Sequence, residues 1–281
     1  GNFNVSDLYI SDGIFRLDNT NMEASGTTII DGGILSVSST SHFASTVEKK
    51  ITVLDGGGIG IYDANSIDSN TALNFEGEDE QNLSKLVIES SGVVLGNNIY
   101  VKTGLIIENE QDFTFAGYSD KSTAGILAKA GAGTMTIESE EFTMRELRSL
   151  EGNLLIKSDI NILDSISVLG ENAVISFENA NNANISNRIS LASGGTLSLS
   201  TSTVNVANLD LSSANIIINK SSKLNSTNVN FDSSTINLTD VSSVIEAATI
   251  NLANGSTIEG FGNLNATVRA KDSSNIYVGS G

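Results

Sequence analysis

The sequence predicts an all-β protein, a right-handed parallel β-helix with three faces and roughly 12 coils of about 20 residues. Three observations support this prediction. Pairs of apolar residues recur about every 20 residues, short polar turns recur at the same interval, and the 281-residue chain has no proline and only 5% aromatic residues. A thin core of Ile, Leu and Val suits short stacked strands. We expect one continuous domain over residues 1–281.

The first apolar pair of each C-terminal coil recurs at steps of 20, 20, 21 and 18 residues. The two residues of a pair are two positions apart, so both point to the same side of a strand. We therefore predict a column of stacked strands with an apolar inner side. The pairs are Ile189/Leu191, Leu209/Leu211, Val229/Phe231, Ile250/Leu252 and Val268/Ala270.

A second apolar pair and a third single site follow in step with the first pair. Three inward sites in about 20 residues predict a coil with three faces. The second pairs are Leu197/Leu199, Ile216/Ile218, Ile236/Leu238, Ile258/Gly260 and Ile276/Val278, and the third sites are Val204, Leu224, Val244 and Leu264.

Small polar residues recur after each first pair and predict tight corners, where positive φ angles are needed. These corners are Ser193-Gly194, Ser213-Ala214, Ser233-Ser234, Asn254-Gly255 and Ser273-Ser274. Stacking also places Asn205 under Asn225 and Asn208 under Asn228, which predicts asparagine ladders.

The same template extends towards the N-terminus with looser spacing. It matches Leu8/Ile10 with Phe15/Leu17, Thr28/Ile30 with Leu35/Val37, Ile51/Val53 with Ile59/Ile61, and Ile166/Val168 with Ile175/Phe177. Two stretches break it. The acidic stretch 76–82 predicts an outward loop, and the stretch 142–150 fits either a strand with a corner or a short helix.

The charge excludes several classes of partner. A formal charge of −18 and a pI near 4.2 disfavour nucleic acid and anionic lipid, which the chain would repel. No run reaches 18 apolar residues, so we predict no transmembrane helix and no direct membrane insertion. The absence of cysteine excludes disulfides and a thiolate nucleophile.

Three segments carry a family resemblance. Residues 125–137, Gly-Ile-Leu-Ala-Lys-Ala-Gly-Ala-Gly-Thr-Met-Thr-Ile, resemble the opening of the autotransporter-associated β-strand repeat, and residues 26–37 resemble its closing half. Residues 258–265 resemble a Gly-x-Gly-x-Leu segment late in many passengers. The chain departs from the family at residues 141–145, where Glu-Phe-Thr-Met-Arg replaces the usual turn.

The resemblance implies a secreted segment of a longer autotransporter passenger. Such passengers are displayed at the bacterial cell surface through an outer-membrane β-barrel, which is absent from this chain. They support adhesion, aggregation or biofilm formation. The implied partners are a host surface molecule, a glycan or another copy of the chain.

No residues are predicted to be catalytic, to bind a cofactor or to bind a metal. Asp210 and Asp232 lie about one coil apart without a neighbouring base, and the single histidine, His42, reads as a loop or corner residue. The triple glycine 56–58 lacks the following Lys-Ser or Lys-Thr of a phosphate-binding loop. For the acidic residues 76–80, solvated charge is favoured over calcium binding.

We therefore expect a non-enzymatic adhesive segment without a cofactor. Two alternatives remain open: a passive stalk that carries a distal domain, and a polysaccharide-degrading β-helix enzyme. A cluster of exposed Tyr or Phe with an acidic rim is the feature that we expect to mark a binding surface.

Overall fold

The computed structural model describes residues 1–119 and 124–279 of the chain. The fold is all-β, and no helix occurs in these residues. The strands are parallel and are stacked as a β-solenoid of about 13 turns, which confirms the predicted fold class. The right-handed sense and the three faces stay predictions, as does the single domain. Contacts divide the chain into two compact units, Gly1–Met144 and Arg145–Gly281.

The N-terminal unit is built from short strands, mostly of three to five residues, which pair in parallel with strands about one turn away. Its strands are Asn2–Val5 (β1), Leu8–Ile10 (β2), Ile14–Leu17 (β3), Asn21–Ala24 (β4), Thr28–Ile30 (β5), Ile34–Val37 (β6), His42–Ser45 (β7), Lys50–Val53 (β8), Gly58–Ile61 (β9), Ala72–Phe75 (β10), Ser84–Ile88 (β11), Val93–Leu95 (β12), Ile99–Asn109 (β13), Phe113–Phe115 (β14), Ala124–Ala130 (β15) and Thr134–Ile137 (β16).

The strand Phe142–Ser149 (β17) contains the boundary between the two units. Its buried residues are Phe142, Thr143, Met144, Leu147 and Ser149, and the other three are half-buried. The strand interpretation of residues 142–150 is correct, and the helical alternative is wrong. β17 is hydrogen-bonded beside β15 in the large sheet, and only an extended backbone can make this pairing.

The C-terminal unit alternates short strands with long ones of eight to ten residues. Its strands are Asn153–Ile156 (β18), Ile160–Val168 (β19), Val174–Glu178 (β20), Ala183–Ala192 (β21), Thr196–Ser200 (β22), Thr203–Ser212 (β23), Asn215–Asn219 (β24), Lys223–Asp232 (β25), Thr235–Leu238 (β26), Val244–Ala253 (β27), Thr257–Gly260 (β28), Asn263–Ala270 (β29) and Asn275–Val278 (β30).

The strand register confirms the two predicted columns of apolar pairs. Ile189 pairs with Leu209, and the series continues through Val229, Ile250 and Val268 on the long strands. The second pairs stack in the same way on the short strands β22 to β30. In the N-terminal unit, Leu8/Ile10 lie on Thr28/Ile30, and Phe15/Leu17 lie on Leu35/Val37, also as predicted.

The predicted third inward site is wrong at Val244. Leu224 pairs with Ile245, which pairs with Leu264, whereas Val244 pairs with Lys223 and is only half-buried. Ile245 follows Leu238 by seven residues, but Leu224 follows Ile218 by six, so the turn between them holds one more residue. A shift of one residue moves a side chain to the opposite face of a strand.

The core is a set of aliphatic columns with a few phenylalanines. Most of the stacked residues are completely buried, including Ile59, Leu86, Leu209 and Ile250. The corners have the backbone that the sequence predicted: Ser193, Ser213 and Ser233 have φ values of 54°, 51° and 51°. Small polar residues take this left-handed conformation at low cost, so the turns can be tight.

Candidate binding face

The long strands β21, β23, β25 and β27 bury their aliphatic side chains and turn a polar surface outward. We call the outward side chains of these four strands the amide face, because asparagine dominates it. The strands pair with one another in parallel, so each outward residue lies on its counterpart in the next turn. At about 4.8 Å between strands, side-chain amides in neighbouring turns can form hydrogen bonds.

The first ladder of the amide face joins three asparagines. Asn205 Nδ2 donates to Asn184 Oδ1 at 3.0 Å, and Asn225 Nδ2 donates to Asn205 Oδ1 at 2.8 Å. The second ladder joins Asn228 Nδ2 to Asn208 Oδ1 at 3.1 Å. Both predicted asparagine pairs are confirmed.

The sequence interpretation missed a third ladder. Asn230 Nδ2 donates to Asp210 Oδ1 at 2.7 Å, and Asn251 Nδ2 donates to Asn230 Oδ1 at 2.8 Å. Each of these residues is the middle residue of a first apolar pair, at steps of 20 and 21. That spacing is the signal that would have revealed the ladder.

The amide face has a shallow, open depression along its first ladder. The register shifts between Ile185 and Arg188 of β21, which bends the long strand. The resulting groove, which we call the amide groove, has a volume of about 660 Å³ and crosses four strands. It is lined by Asn184, Ile185, Ser186, Asn205, Val206, Ala207, Lys223, Asn225, Ser226, Thr227 and Glu246.

The first ladder ends at an ion pair. Asn225 lies opposite Glu246, whose carboxylate is held by Lys223 Nζ at 2.5 Å. Asn225 Oδ1 is buried and accepts no hydrogen bond from the residues that the structure describes. A carboxylate offers only acceptors, so Glu246 cannot continue the ladder.

The exposed aromatic residues do not form the expected cluster at this groove. Large exposed aromatic side chains among the described residues are Phe3 and Tyr9 in the N-terminal unit, and Phe261 and Tyr277 in the C-terminal unit. Tyr9 donates its hydroxyl proton to Asp31 Oδ2 at 2.8 Å, and this bond raises the pKa of Tyr9. Hydrogen-bonding groups, rather than rings, dominate the amide groove.

Asp210 and Asp232 are both engaged in structural contacts. Asp210 pairs with Arg188 Nε at 3.1 Å, and Asp232 Oδ1 accepts a bond from Asn254 Nδ2 at 2.7 Å. Asp210 lies opposite Asn230, and Asp232 lies opposite Ser212, so the two carboxylates do not stack on each other. Asp210 is therefore part of the third ladder, and Asp232 is part of the corner contacts after β25.

His42 and the triple glycine lie at structural positions. The prediction of a loop or corner residue is wrong for His42, which is the first residue of the strand β7 and pairs with Asn21. Its Nδ1 lies 2.6 Å from the carbonyl oxygen of Asn65 in the next turn. Gly56 has a φ of 69° in the corner before β9. Gly57 lies so close to the carbonyl of Ile30 that a side chain would collide with it.

The acidic stretch forms the predicted loop, between β10 and β11. Its residues are tied to the turns on either side: Asp79 N donates to Asp55 Oδ1 at 3.0 Å, and Glu78 pairs with Lys102 at 3.2 Å. In the part of the chain that the structure describes, no three His, Cys, Asp or Glu residues are grouped closely enough to hold a metal ion.

Lys129 has a buried position that sequence reasoning did not foresee. It lies opposite the core residue Ile107, and its side chain is completely buried. Its ammonium group reaches the corner, where it donates to the carbonyl oxygens of Ala130, at 3.3 Å, and Gly131. Lys129, which precedes Gly131 and Gly133 in the segment 125–137, therefore lies within the apolar column, and the corner carbonyls satisfy its ammonium group.

Comparisons with models of protein families, with curated proteins and with solved structures found no match. Within residues 1–119 and 124–279 there is no helix that could span a membrane.

Proposed function

We propose that this chain is an adhesive segment of a surface-displayed, autotransporter-like bacterial adhesin, and that it binds through the amide groove. The observation that carries the proposal is the shallow groove, whose lining residues are mainly hydrogen-bonding ones. Binding sites are concave surfaces with a few fixed polar groups. The amide groove has this character.

The ladders fix the polar groups before a ligand arrives. Each asparagine of the first ladder is held by a neighbour at 2.8–3.0 Å, and Ser226 Oγ is held by the carbonyls of Ala207 and Asn228 at 3.2 and 3.0 Å. Ordering side chains on binding costs about 0.5–1.5 kcal/mol each, and a surface that is already ordered avoids much of this cost.

The likeness of residues 125–137 to the autotransporter repeat supports display at the cell surface. A parallel stack with many turns also suits a surface protein, because its repeated coils can present an extended binding surface. The engagement of Asp210 and Asp232 in structural contacts favours adhesion over hydrolysis, which needs two carboxyl groups flanking a bond.

The test is an adhesion assay with beads that carry the full 281-residue chain. Control beads carry an unrelated β-solenoid with a similar number of turns. We expect the chain-coated beads to aggregate or to bind bacterial and epithelial surfaces above the control. Equal behaviour of the two bead types would overturn the adhesive function.

A passive stalk is the second candidate, and the regular stacking of the C-terminal unit favours it. Uniform turns make a spacer without any ligand. A stalk should tolerate replacement by an unrelated solenoid of equal length in cells that display the complete passenger. An adhesive segment should lose surface binding after the same replacement.

A further inference from the structure

We infer that the amide groove binds a linear, neutral glycan whose chain runs across the strands, from one turn to the next. This inference rests on the proposed adhesive function and adds the chemical class of the ligand. It depends on three properties of the groove: its hydrogen-bonding groups, their spacing and its charge.

The groups that the groove offers are amides and hydroxyls. Each of the strands β21, β23, β25 and β27 is paired with a strand on both sides, so none of them has a free edge for an added peptide strand. The exposed hydroxyls of Ser186 and Thr227 remain to face the ligand, whereas Asn205 Nδ2 already donates to both Asn184 and Asn182. Amides and hydroxyls both donate and accept, as sugar hydroxyls do.

The spacing of these groups follows the stack. Asn184, Asn205 and Asn225 repeat once per turn, about 4.8 Å apart, and the groove crosses four strands over about 14 Å. One pyranose unit of an extended glycan has a comparable length. A linear glycan can therefore meet an equivalent amide at successive sugars.

The charge of the groove favours a neutral chain. Among the described residues that line it, Lys223 and Glu246 alone are charged, and they form an ion pair. The chain as a whole carries a formal charge of −18, which repels an anionic polysaccharide. A second copy of the chain is also a poor occupant, because two chains that each carry a formal charge of −18 repel each other.

The experiment measures binding of three neutral hexasaccharides to the full chain by isothermal titration calorimetry. The probes are cellohexaose, maltohexaose and the hexamer of β-1,4-linked N-acetylglucosamine, and hexagalacturonate is the anionic comparison. Ala207→Trp fills the groove, whereas Ala192→Trp places the same bulk on β21 outside the groove. Circular dichroism verifies that both variants keep the fold.

We expect at least one neutral probe to bind with a Kd below about 1 mM, and hexagalacturonate to bind more weakly. Ala207→Trp should weaken binding at least about tenfold, and Ala192→Trp should change it by less than about twofold. The inference is overturned if no neutral probe binds, if the anionic probe binds best, or if both variants bind like the wild type. If no glycan binds as expected but the chain-coated beads still adhere, the glycan inference fails and the adhesive function does not. The bead assay and the calorimetry therefore distinguish the failure of one proposal from the failure of the other.

Discussion

Both units stack apolar residues in columns, but the turns of the C-terminal unit have nearly constant length and add ladders of polar residues, whereas turns of the N-terminal unit vary in length and use individual polar contacts. From Ile189 to Ile250, paired residues on the long strands are 20 or 21 positions apart. In the N-terminal unit, Ile59 follows its partner Leu35 by 24 positions, and Leu86 follows Ile59 by 27. The longer turns there contain loops.

The loops of the N-terminal unit are fixed by single buried side chains. Asn97 is 1% exposed, and its Nδ2 donates to the carbonyl oxygens of Asp68 and Thr71 at 2.8 and 2.9 Å. In the C-terminal unit, the ladders distribute the same kind of bond over many equivalent residues. Turns of one fold can therefore be held together by repeated ladder bonds between equivalent residues, or by single buried side chains such as Asn97, which we call local anchors.

The largest effect should come from the apolar columns, which both units share. We expect Ile250→Ala to lower the free energy of unfolding by about 2–5 kcal/mol, because Ile250 is completely buried between Val229 and Val268. The control Ile217→Ala removes a side chain that is 36% exposed and should cost less than about 1 kcal/mol. Urea unfolding measures both. Similar losses would contradict the assignment of the two faces.

Local anchors should be more sensitive than ladder residues. Asn97→Ala removes the donor to the buried carbonyl of Thr71, whereas the carbonyl of Asp68 still accepts from Thr71 N at 2.8 Å, so we expect a loss of about 1–3 kcal/mol in the free energy of unfolding. Asn228→Ala breaks one half-buried ladder bond and should cost about 0.5–1.5 kcal/mol.

The neighbouring Asn98→Ala is the control for Asn97→Ala, because Asn98 is exposed and its Oδ1 accepts one bond, from Tyr118 N at 3.2 Å. It should cost less than Asn97→Ala. If Asn228→Ala cost as much as Asn97→Ala, the contrast between anchors and ladders would be wrong.

A single substitution should lengthen the first ladder. The amide of Glu246→Gln can donate a hydrogen bond to Asn225 Oδ1, which is buried and has no donor among the described residues of the wild type. An unmet buried acceptor destabilises the fold by about 1–3 kcal/mol. The substitution also removes the exposed ion pair with Lys223, which contributes about 0–1 kcal/mol. We expect a net gain of about 1 kcal/mol in the free energy of unfolding, measured by thermal and urea unfolding.

Glu259→Gln is the matched control for Glu246→Gln. Glu259 accepts a 3.4 Å bond from Asn237 and has no unmet ladder acceptor beside it. It should produce no comparable gain. Equal stability changes in the two variants would refute the continuation of the ladder.

The smallest effect concerns one turn of the C-terminal unit. Ser242 donates its hydroxyl proton and its backbone N–H to Asp240 Oδ1, and these bonds lower the pKa of Asp240. The ionised Asp240 therefore stabilises the fold at pH values above the pKa that Asp240 has in the unfolded chain. This stabilisation is lost as the pH falls through the lower pKa that Asp240 has in the folded protein. Ser242→Ala should raise the pKa of Asp240 towards its ordinary value, as measured by NMR titration.

Ser221→Ala is the control for this titration, since Ser221 Oγ contacts Ser242 Oγ at 2.7 Å but does not contact the carboxylate. The pKa of Asp240 should then stay low. A rise of equal size in both variants would show that the direct bond is not the cause.

The parts of this fold that depend on spacing were predictable from the sequence, and the parts that depend on turn length were not. The pairs around Leu209 and Ile236 were assigned correctly because two-residue alternation and a constant step determine them. Val244 was assigned wrongly, since Val and Ile are adjacent there and both are apolar. The length of the preceding turn decided between them.

The candidate site was predictable only in part. The pairing of Asn205 with Asn225 follows from the step of 20 residues. The concavity of the amide groove does not, because it arises from the bend where the register shifts after Ile185. The burial of Lys129 was equally hidden, since a lysine in a core column needs carbonyl partners that only the folded corner supplies.

The most direct test of the account is to block the amide groove in the adhesion assay. Beads that carry the wild-type chain, Ala207→Trp or Ala192→Trp are compared on the same surfaces. If the amide groove is the binding surface, the wild type and Ala192→Trp should adhere alike and Ala207→Trp should lose adhesion. Equal adhesion of all three proteins would place the binding surface elsewhere and contradict the central claim.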